Sequence, residues 1–279
     1  MAKAAETKRA KVSLAIAPEN ALPSTFVVFR DKIETSMAKS ADLGYDGVEL
    51  ALLHRQQIDV RAISRTAARL GLQIPMVSTG QVFAAGGVWL TSDDETVRAT
   101  AMVHFIGLME VAAELGADIN IGRLRGMVAE KQPFERAEAN FLGCMDPLAE
   151  RAAELGVRIL IEPVNRYETN YINSCESACE LLAKLGRPNV LLMPDVFHMN
   201  IEDRDIAGEL DKHFGKIGYI HFADSNRLYP GNAHTDFPSI VCVVKKHRYE
   251  GFIGVEILPS PDPDTAAARA IEYLLPLLA

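Results

Sequence analysis

Four residues in the chain carry side chains suited to a hard divalent cation and recur at equivalent places. Glu162, Asp195, His221 and Glu256 each lie within or just after a short apolar run: ILIEP, VLLMPD, GYIHFAD and GVEIL. Such runs read as β-strands. Side chains at strand ends converge only if the strands lie side by side, so three carboxylates and one imidazole in these positions predict a single divalent-metal site. The set is mainly hard oxygen donors. That favours Mn2+, admits Mg2+ or Co2+, and disfavours structural zinc. Any one of the four taken alone is more often a helix cap, an ion-pair partner or a hydrogen-bonded core histidine. The argument rests on the four together.

The elements that must position these residues follow from hydrophobic periodicity. Strands are expected at 11–17, 47–52, 74–79, 118–124, 157–164, 190–196, 217–224 and 251–258. Helices are expected at 29–44, 58–71, 93–116, 134–156, 174–186, 203–214, 236–248 and 262–278. Several helices end on Leu-Gly, as in ARLGLQ, AELGAD, AELGVR and AKLGRP, where glycine takes the left-handed conformation that stops a helix. Strands that are almost wholly apolar are buried on both faces, the mark of a parallel sheet under helices. Strand–helix repeats about every 35 residues predict an α/β fold, a (β/α)8 TIM barrel. It forms a single domain over 11–279 behind a flexible tail at 1–10. The four metal-philic residues then fall on strands five to eight, at the end where barrels of this kind work.

Composition excludes several classes. With 48% hydrophobic and 24% charged residues the chain can bury a large core. A net charge of −8 leaves no basic surface for tracking phosphates, so nucleic acid is not an expected partner. Cys144, Cys175, Cys179 and Cys242 form no Cys-x-x-Cys pair and read as reduced thiols. The basic start MAKAAETKRA is not followed by a signal-type apolar segment, and no run of membrane length stands out. A cytoplasmic protein making no membrane contact is expected.

The segments IEPVNRYETNYIN, DVFHMNIED, ADSNR with PGNAHTDF, and STGQVFAAGG resemble those of the xylose isomerase-like TIM-barrel sugar isomerases and epimerases. The likeness is to the D-tagatose 3-epimerase and L-ribulose 3-epimerase group, and within it to 5-keto-L-gluconate epimerases. It implies that Glu162, Asp195, His221 and Glu256 ligate the metal and that Glu162 and Glu256 are also the acid/base pair. It further implies that His198 and Arg227 contact oxygens at the substrate's reacting centre, with Glu168 beside them and Gln81 as another contact. A homo-oligomer, dimer or tetramer, is implied as well. One departure is Ala233 in PGNAHTDF, where the family carries a glycine.

The chemistry is coherent without the resemblance. A proton next to a ketone is too weakly acidic for a carboxylate alone, so the site must stabilise an enediolate, which a Lewis-acidic cation does. One glutamate removing the proton and the other returning it to the opposite face gives epimerisation. The substrate that the resemblance implies is a small keto sugar or keto sugar acid, foremost 5-keto-L-gluconate. The same residues would serve a hydroxypyruvate-type isomerase or an inosose dehydratase; a metal-dependent apurinic endonuclease would need a basic surface and further histidine ligands, which an acidic chain with seven histidines does not clearly show, and a non-catalytic sugar-binding barrel is the last alternative. Arg125, with Arg123, could hold a sugar-acid carboxylate or form an ordinary salt bridge. Glu49 could bind a substrate hydroxyl or a structural partner, His54 reads as exposed, and His234 and Asp236 could shape the loop after strand seven. The apolar loop at 80–92 could be a mobile lid or a permanently packed segment.

Overall fold

A computed structural model describes residues 9–23 and 26–279. Eight parallel strands form the barrel: β1 (Lys11–Ala17), β2 (Gly47–Ala51), β3 (Gln73–Ser78), β4 (Asp118–Ile121), β5 (Ile159–Ile161), β6 (Val190–Leu192), β7 (Ile220–Phe222) and β8 (Phe252–Val255). They pair in the order β6-β5-β4-β3-β2-β1-β8-β7, and single bridges Leu192–Ile217 and Asp195–His221 join the two ends into a ring. A two-residue strand, Phe29–Arg30, runs beside β1 where a helix start was expected.

Ten helices follow in chain order: α1 (Ile33–Asp42), α2 (Val60–Leu70), α3 (Gly80–Gly86), α4 (Glu95–Leu115), α5 (Phe134–Leu155), α6 (Cys175–Leu185), α7 (Val196–Glu202), α8 (Ile206–His213), α9 (Phe237–Lys246) and α10 (Pro263–Leu278). The Leu-Gly stops behave as expected. Gly71, Gly116, Gly156 and Gly186 are left-handed C-caps with φ between 64° and 70°. At the other ends Asp59, Asp94, Ser174, Asp205 and Asp262 accept main-chain N–H bonds as N-caps. The strands contribute Val12, Leu14, Val48, Leu50, Ile119, Ile161 and Val255 to one continuous core, all fully buried.

Residues 1–8 of the expected flexible tail lie outside the described residues, whereas Arg9 pairs with Asp46 at 2.8 Å and Ala10 is buried. Helix α4 is long and apolar enough to cross a membrane by length and composition, a stretch the sequence reading passed over. Here Ala101, Phe105, Leu108, Met109 and Ala112 pack it into the core as a barrel helix.

The segment at 80–92 is not an open loop. Its first half is α3, and Val88, Leu90 and Thr91 are buried. Main-chain bonds from Leu90 N to Leu124 O (3.1 Å) and from Thr91 N to Arg125 O (3.0 Å) tie it to the turn after β4. Trp89 packs over Gly126, where a Cβ would lie 2.3 Å from the indole. The packed alternative therefore describes this segment.

Candidate metal centre and active site

The loops at the carboxyl ends of β5 to β8 bring the four metal-philic residues together. One ligand atom from each of Glu162, Asp195, His221 and Glu256 lies within 4.8 Å of the others. His221 Nδ1 stands 3.5 Å from Glu162 Oε1, 3.9 Å from Asp195 Oδ2 and 3.8 Å from Glu256 Oε2. The residues fit a divalent cation: among the described residues, His221 Nδ1 and Asp195 Oδ2 are buried with no hydrogen-bond partner. Polar atoms placed so are costly unless something charged meets them. Asp195 also does what an isolated strand-end aspartate usually does. Its Oδ1 accepts the Phe197 N–H at 2.8 Å and caps α7, leaving Oδ2 for the site.

The electrostatics follow from four acids crowding one imidazole. Burial alone would lower the His221 pKa, but Glu49, Glu256 and Glu162 raise it well above its ordinary value. Burial, reinforced by repulsion from Glu162 and Glu49, pushes Glu256 up to about 8 against the pull of His221 and Arg227. Asp195 is likewise raised by burial. Glu256 thus carries a proton at neutral pH that a cation would have to displace.

Around this cluster stand the expected companions. The Arg227 guanidinium pairs closely with Glu256, lies 3.4 Å from Asp195 Oδ2 and sits between the rings of Phe26 and Phe197, 4.2 and 4.6 Å from their centroids. Its backbone is left-handed, φ 59°. Strain of this kind persists only where the surroundings impose it, here by turning the side chain back over the site. The carboxylate of Asp224 shapes the loop, accepting N–H bonds from Ser225, Gly231, Ala233 and Thr235. Ala233 has no positive φ, so the departure from glycine costs this loop nothing.

His198 is held neutral, its pKa lowered well below the usual value by burial and by Arg227 and Arg125. The Asn165 amide lies 2.7 Å from Nδ1 and the Arg227 guanidinium, a donor only, 3.3 Å from Nε2. Glu168 lines the same pocket opposite Arg123, at 3.8 Å.

Two expected substrate contacts are placed differently. Arg125 is fully buried and donates to four main-chain carbonyls: Tyr171 and Glu162 at 2.7 Å, Gly122 and Ile172 at 2.8 Å. Its guanidinium has no face toward the pocket, so it is a brace beneath Glu162. Arg123 is the arginine that lines the pocket. Gln81 borders the pocket, but its amide bridges the Ala51 carbonyl (2.7 Å) and the Leu22 N–H (3.0 Å).

Sequence reasoning passed over Phe26, Asn120, Asn165, Phe197 and Asp224. Asn120 Nδ2 donates to Glu162 Oε2 at 3.1 Å, and Gly122 makes room for that carboxylate, since a Cβ there would lie 2.5 Å from Oε2. Only the asparagine near the end of β4, a polar residue between two isoleucines, hinted at such a contact. His54 is exposed at the start of a 3-10 turn, His234 bonds Ser225 at 3.0 Å, and Asp236 caps α9. A second acidic group, Glu176, Glu209 and His213 between α6 and α8, is neutralised by Lys212, which pairs with Glu176 and lies 3.9 Å from Glu209.

Comparison with known proteins agrees with this architecture. The chain is 31% identical over 268 residues to L-ribulose 3-epimerase of Methylomonas sp. (strain DH-1), covering 86% of this chain and 89% of that one. It is 29% identical to ketose 3-epimerase of Arthrobacter globiformis, covering 82% and 78%. The crystal structure of D-allulose 3-epimerase from Methylomonas sp. superposes with a TM-score of 0.81 at 26% identity, over 97% of this chain and 99% of that one. The family model of the xylose isomerase-like TIM barrel matches residues 37–277. The chain belongs to the xylose isomerase-like TIM-barrel family.

Proposed function

We propose that this protein is a divalent-metal-dependent epimerase of a keto sugar or keto sugar acid. The observation that carries the reading is the approach of Glu162 from β5 and Glu256 from β8 to one pocket, with His221 and Asp195 beside them. The epimerases it resembles support the reaction class. A cation held by these four residues supplies Lewis acidity to the oxygens of the reacting centre.

The chain's own residues do the rest. One glutamate takes the proton from the carbon beside the ketone and the other delivers a proton to the opposite face. His198 and the Arg227 guanidinium orient substrate oxygens, and the guanidinium opposes the charge that builds there. The sandwich of Phe26 and Phe197 holds that guanidinium in place. Mn2+ suits the oxygen-rich donor set best.

Arg123 at the pocket wall favours an anionic substrate, which puts 5-keto-L-gluconate first and neutral ketoses such as L-ribulose and D-tagatose next. We further expect a dimer or tetramer working in the cytoplasm. Incubating Mn2+-loaded protein with these compounds in deuterated water, followed by NMR, tests the reaction. Deuterium at the carbon next to the ketone, together with the epimer, is the expected result. No incorporation into any of them would show the epimerase reading to be wrong, while an aldose product would mark an isomerase instead.

A further inference from the structure

Below the four candidate ligands lies a fourth carboxylate that their chemistry does not use. Glu49, in the middle of β2, is fully buried. Among the described residues the only ion pair it forms is with His221, whose Nε2 is 2.9 Å from Glu49 Oε2. The same oxygen accepts the Tyr219 hydroxyl at 3.0 Å, and Tyr219 in turn meets Ser13 Oγ at 2.6 Å. The chain Ser13–Tyr219–Glu49–His221 thus joins β1, β7 and β2 under the pocket.

The neighbouring strand is shaped around it. Gly254, on β8, stands level with both Ser13 and His221, and a Cβ there would lie 2.6 Å from Tyr219 Oη and 2.9 Å from His221 Cδ2. A carboxylate at this depth is an expensive way to fill a barrel, since apolar residues of equal volume pack there without desolvation cost. What it gains is the orientation of a ring. An imidazole whose Nε2–H is taken by a carboxylate keeps its lone pair on Nδ1, and Nδ1 is the atom left without a partner among Glu162, Asp195 and Glu256.

We propose that Glu49 is a positioning residue that fixes the tautomer and rotation of His221, presenting Nδ1 as a metal ligand. This rests on the metal-site reading above and adds to it a residue outside the ligand set. Carboxylate–histidine–metal arrangements tune affinity through the second ring nitrogen, and losing such a partner typically costs 10- to 100-fold in metal binding.

The test measures Mn2+ binding by titration calorimetry and by EPR of free Mn2+, alongside thermal melting of the metal-free protein, for wild type, Glu49→Gln and Glu49→Leu. The isosteric Glu49→Gln keeps an acceptor but loses the charge, and is expected to weaken Mn2+ binding about tenfold. Glu49→Leu, which removes the acceptor, is expected to weaken it about 100-fold while the metal-free protein melts no lower than wild type. If the Leu variant does not fold, the Gln variant alone decides. Folded variants that bind Mn2+ within threefold of wild type, or that lose only melting temperature, overturn the positioning role. Wild-type protein that binds no Mn2+ stoichiometrically overturns the metal-site reading, and the proposal with it.

Discussion

Arg125 gives the most demanding test of how the site is supported. It is a fully buried cation with no ion pair within 4.0 Å among the described residues, and burial draws its pKa down to about 10, so it stays charged at neutral pH. Its hydrogen bonds go to the carbonyls of Gly122, Glu162, Tyr171 and Ile172, from two loops that flank the pocket. Ile172 is held at φ 58°, a conformation β-branched residues avoid. Arg125→Met keeps roughly the length of the side chain and removes every donor. The Gly122 and Ile172 carbonyls keep main-chain donors, Arg125 N and Val164 N, so those of Glu162 and Tyr171 are the two abandoned. Each costs about 1–3 kcal/mol, partly offset because the guanidinium no longer has to be desolvated. The net loss is about 3–5 kcal/mol, by analogy with breaking a buried charged network from one side. For a chain of this size that lowers Tm by roughly 10 °C. Urea unfolding followed by circular dichroism measures the free energy, and the relaxing Glu162 carbonyl should reduce turnover more than tenfold in the surviving folded protein. Arg125→Lys, with one nitrogen for four acceptors, should fall in between. A Met variant within about 1 kcal/mol of wild type would refute the claim that this residue braces the site.

Other expectations follow from single positions. Gly122→Ala would push a methyl to 2.5 Å from Glu162 Oε2, so activity should drop at least tenfold in steady-state assays while the melting temperature moves little. Asp203, raised to about 6 by burial and by Glu209 and Glu202, has one oxygen without a partner. Because its folded pKa lies above the unfolded one, its charged form destabilises the protein as pH rises from 3.8 to about 6. Asp203→Asn should therefore stabilise by about 1 kcal/mol at pH 7.5, after discounting for partial exposure, by roughly half of that at pH 5, and by little below the unfolded pKa of 3.8, as read from denaturation curves across this range. Glu256, raised to about 8 by burial in the metal-free protein, must lose its proton to ligate. Mn2+ affinity should fall as pH drops below 8, and calorimetry in buffers of different ionisation enthalpy should detect proton release. An affinity flat from pH 6 to 9 would contradict this.

The legible parts of the molecule were those governed by periodicity and by backbone stops. β1 is found at the expected residues, and the Leu-Gly helix ends sit where left-handed glycine put them. The four candidate metal-site positions were readable because three carboxylates and an imidazole at the ends of apolar strands break a pattern. What could not be read was orientation. Arg123 and Arg125 differ by two places in one 3-10 turn, yet one lines the pocket and the other points beneath it. No periodicity separates them, and only the carbonyls of a loop some 46 residues later decide it. The strand ends were drawn too long for the same reason: the residues after β5 to β8 stay apolar or buried in loops that no longer pair. Helix α7 was missed because its cap is Asp195, already assigned to the site.

The ring of strands has one lightly stitched place, between β6 and β7, where single bridges stand in for a ladder. One of those bridges is Asp195–His221, and the His221 N–H reaches Pro194 O at 2.9 Å. The two side chains facing each other across the opening are thus carried by the very backbone that shuts it. Whatever draws them together fastens the barrel like a clasp, and whatever parts them loosens it. A cation held by this pair would keep the seam shut, and slower amide exchange at His221 and Gly218 on adding Mn2+ is the mark it should leave.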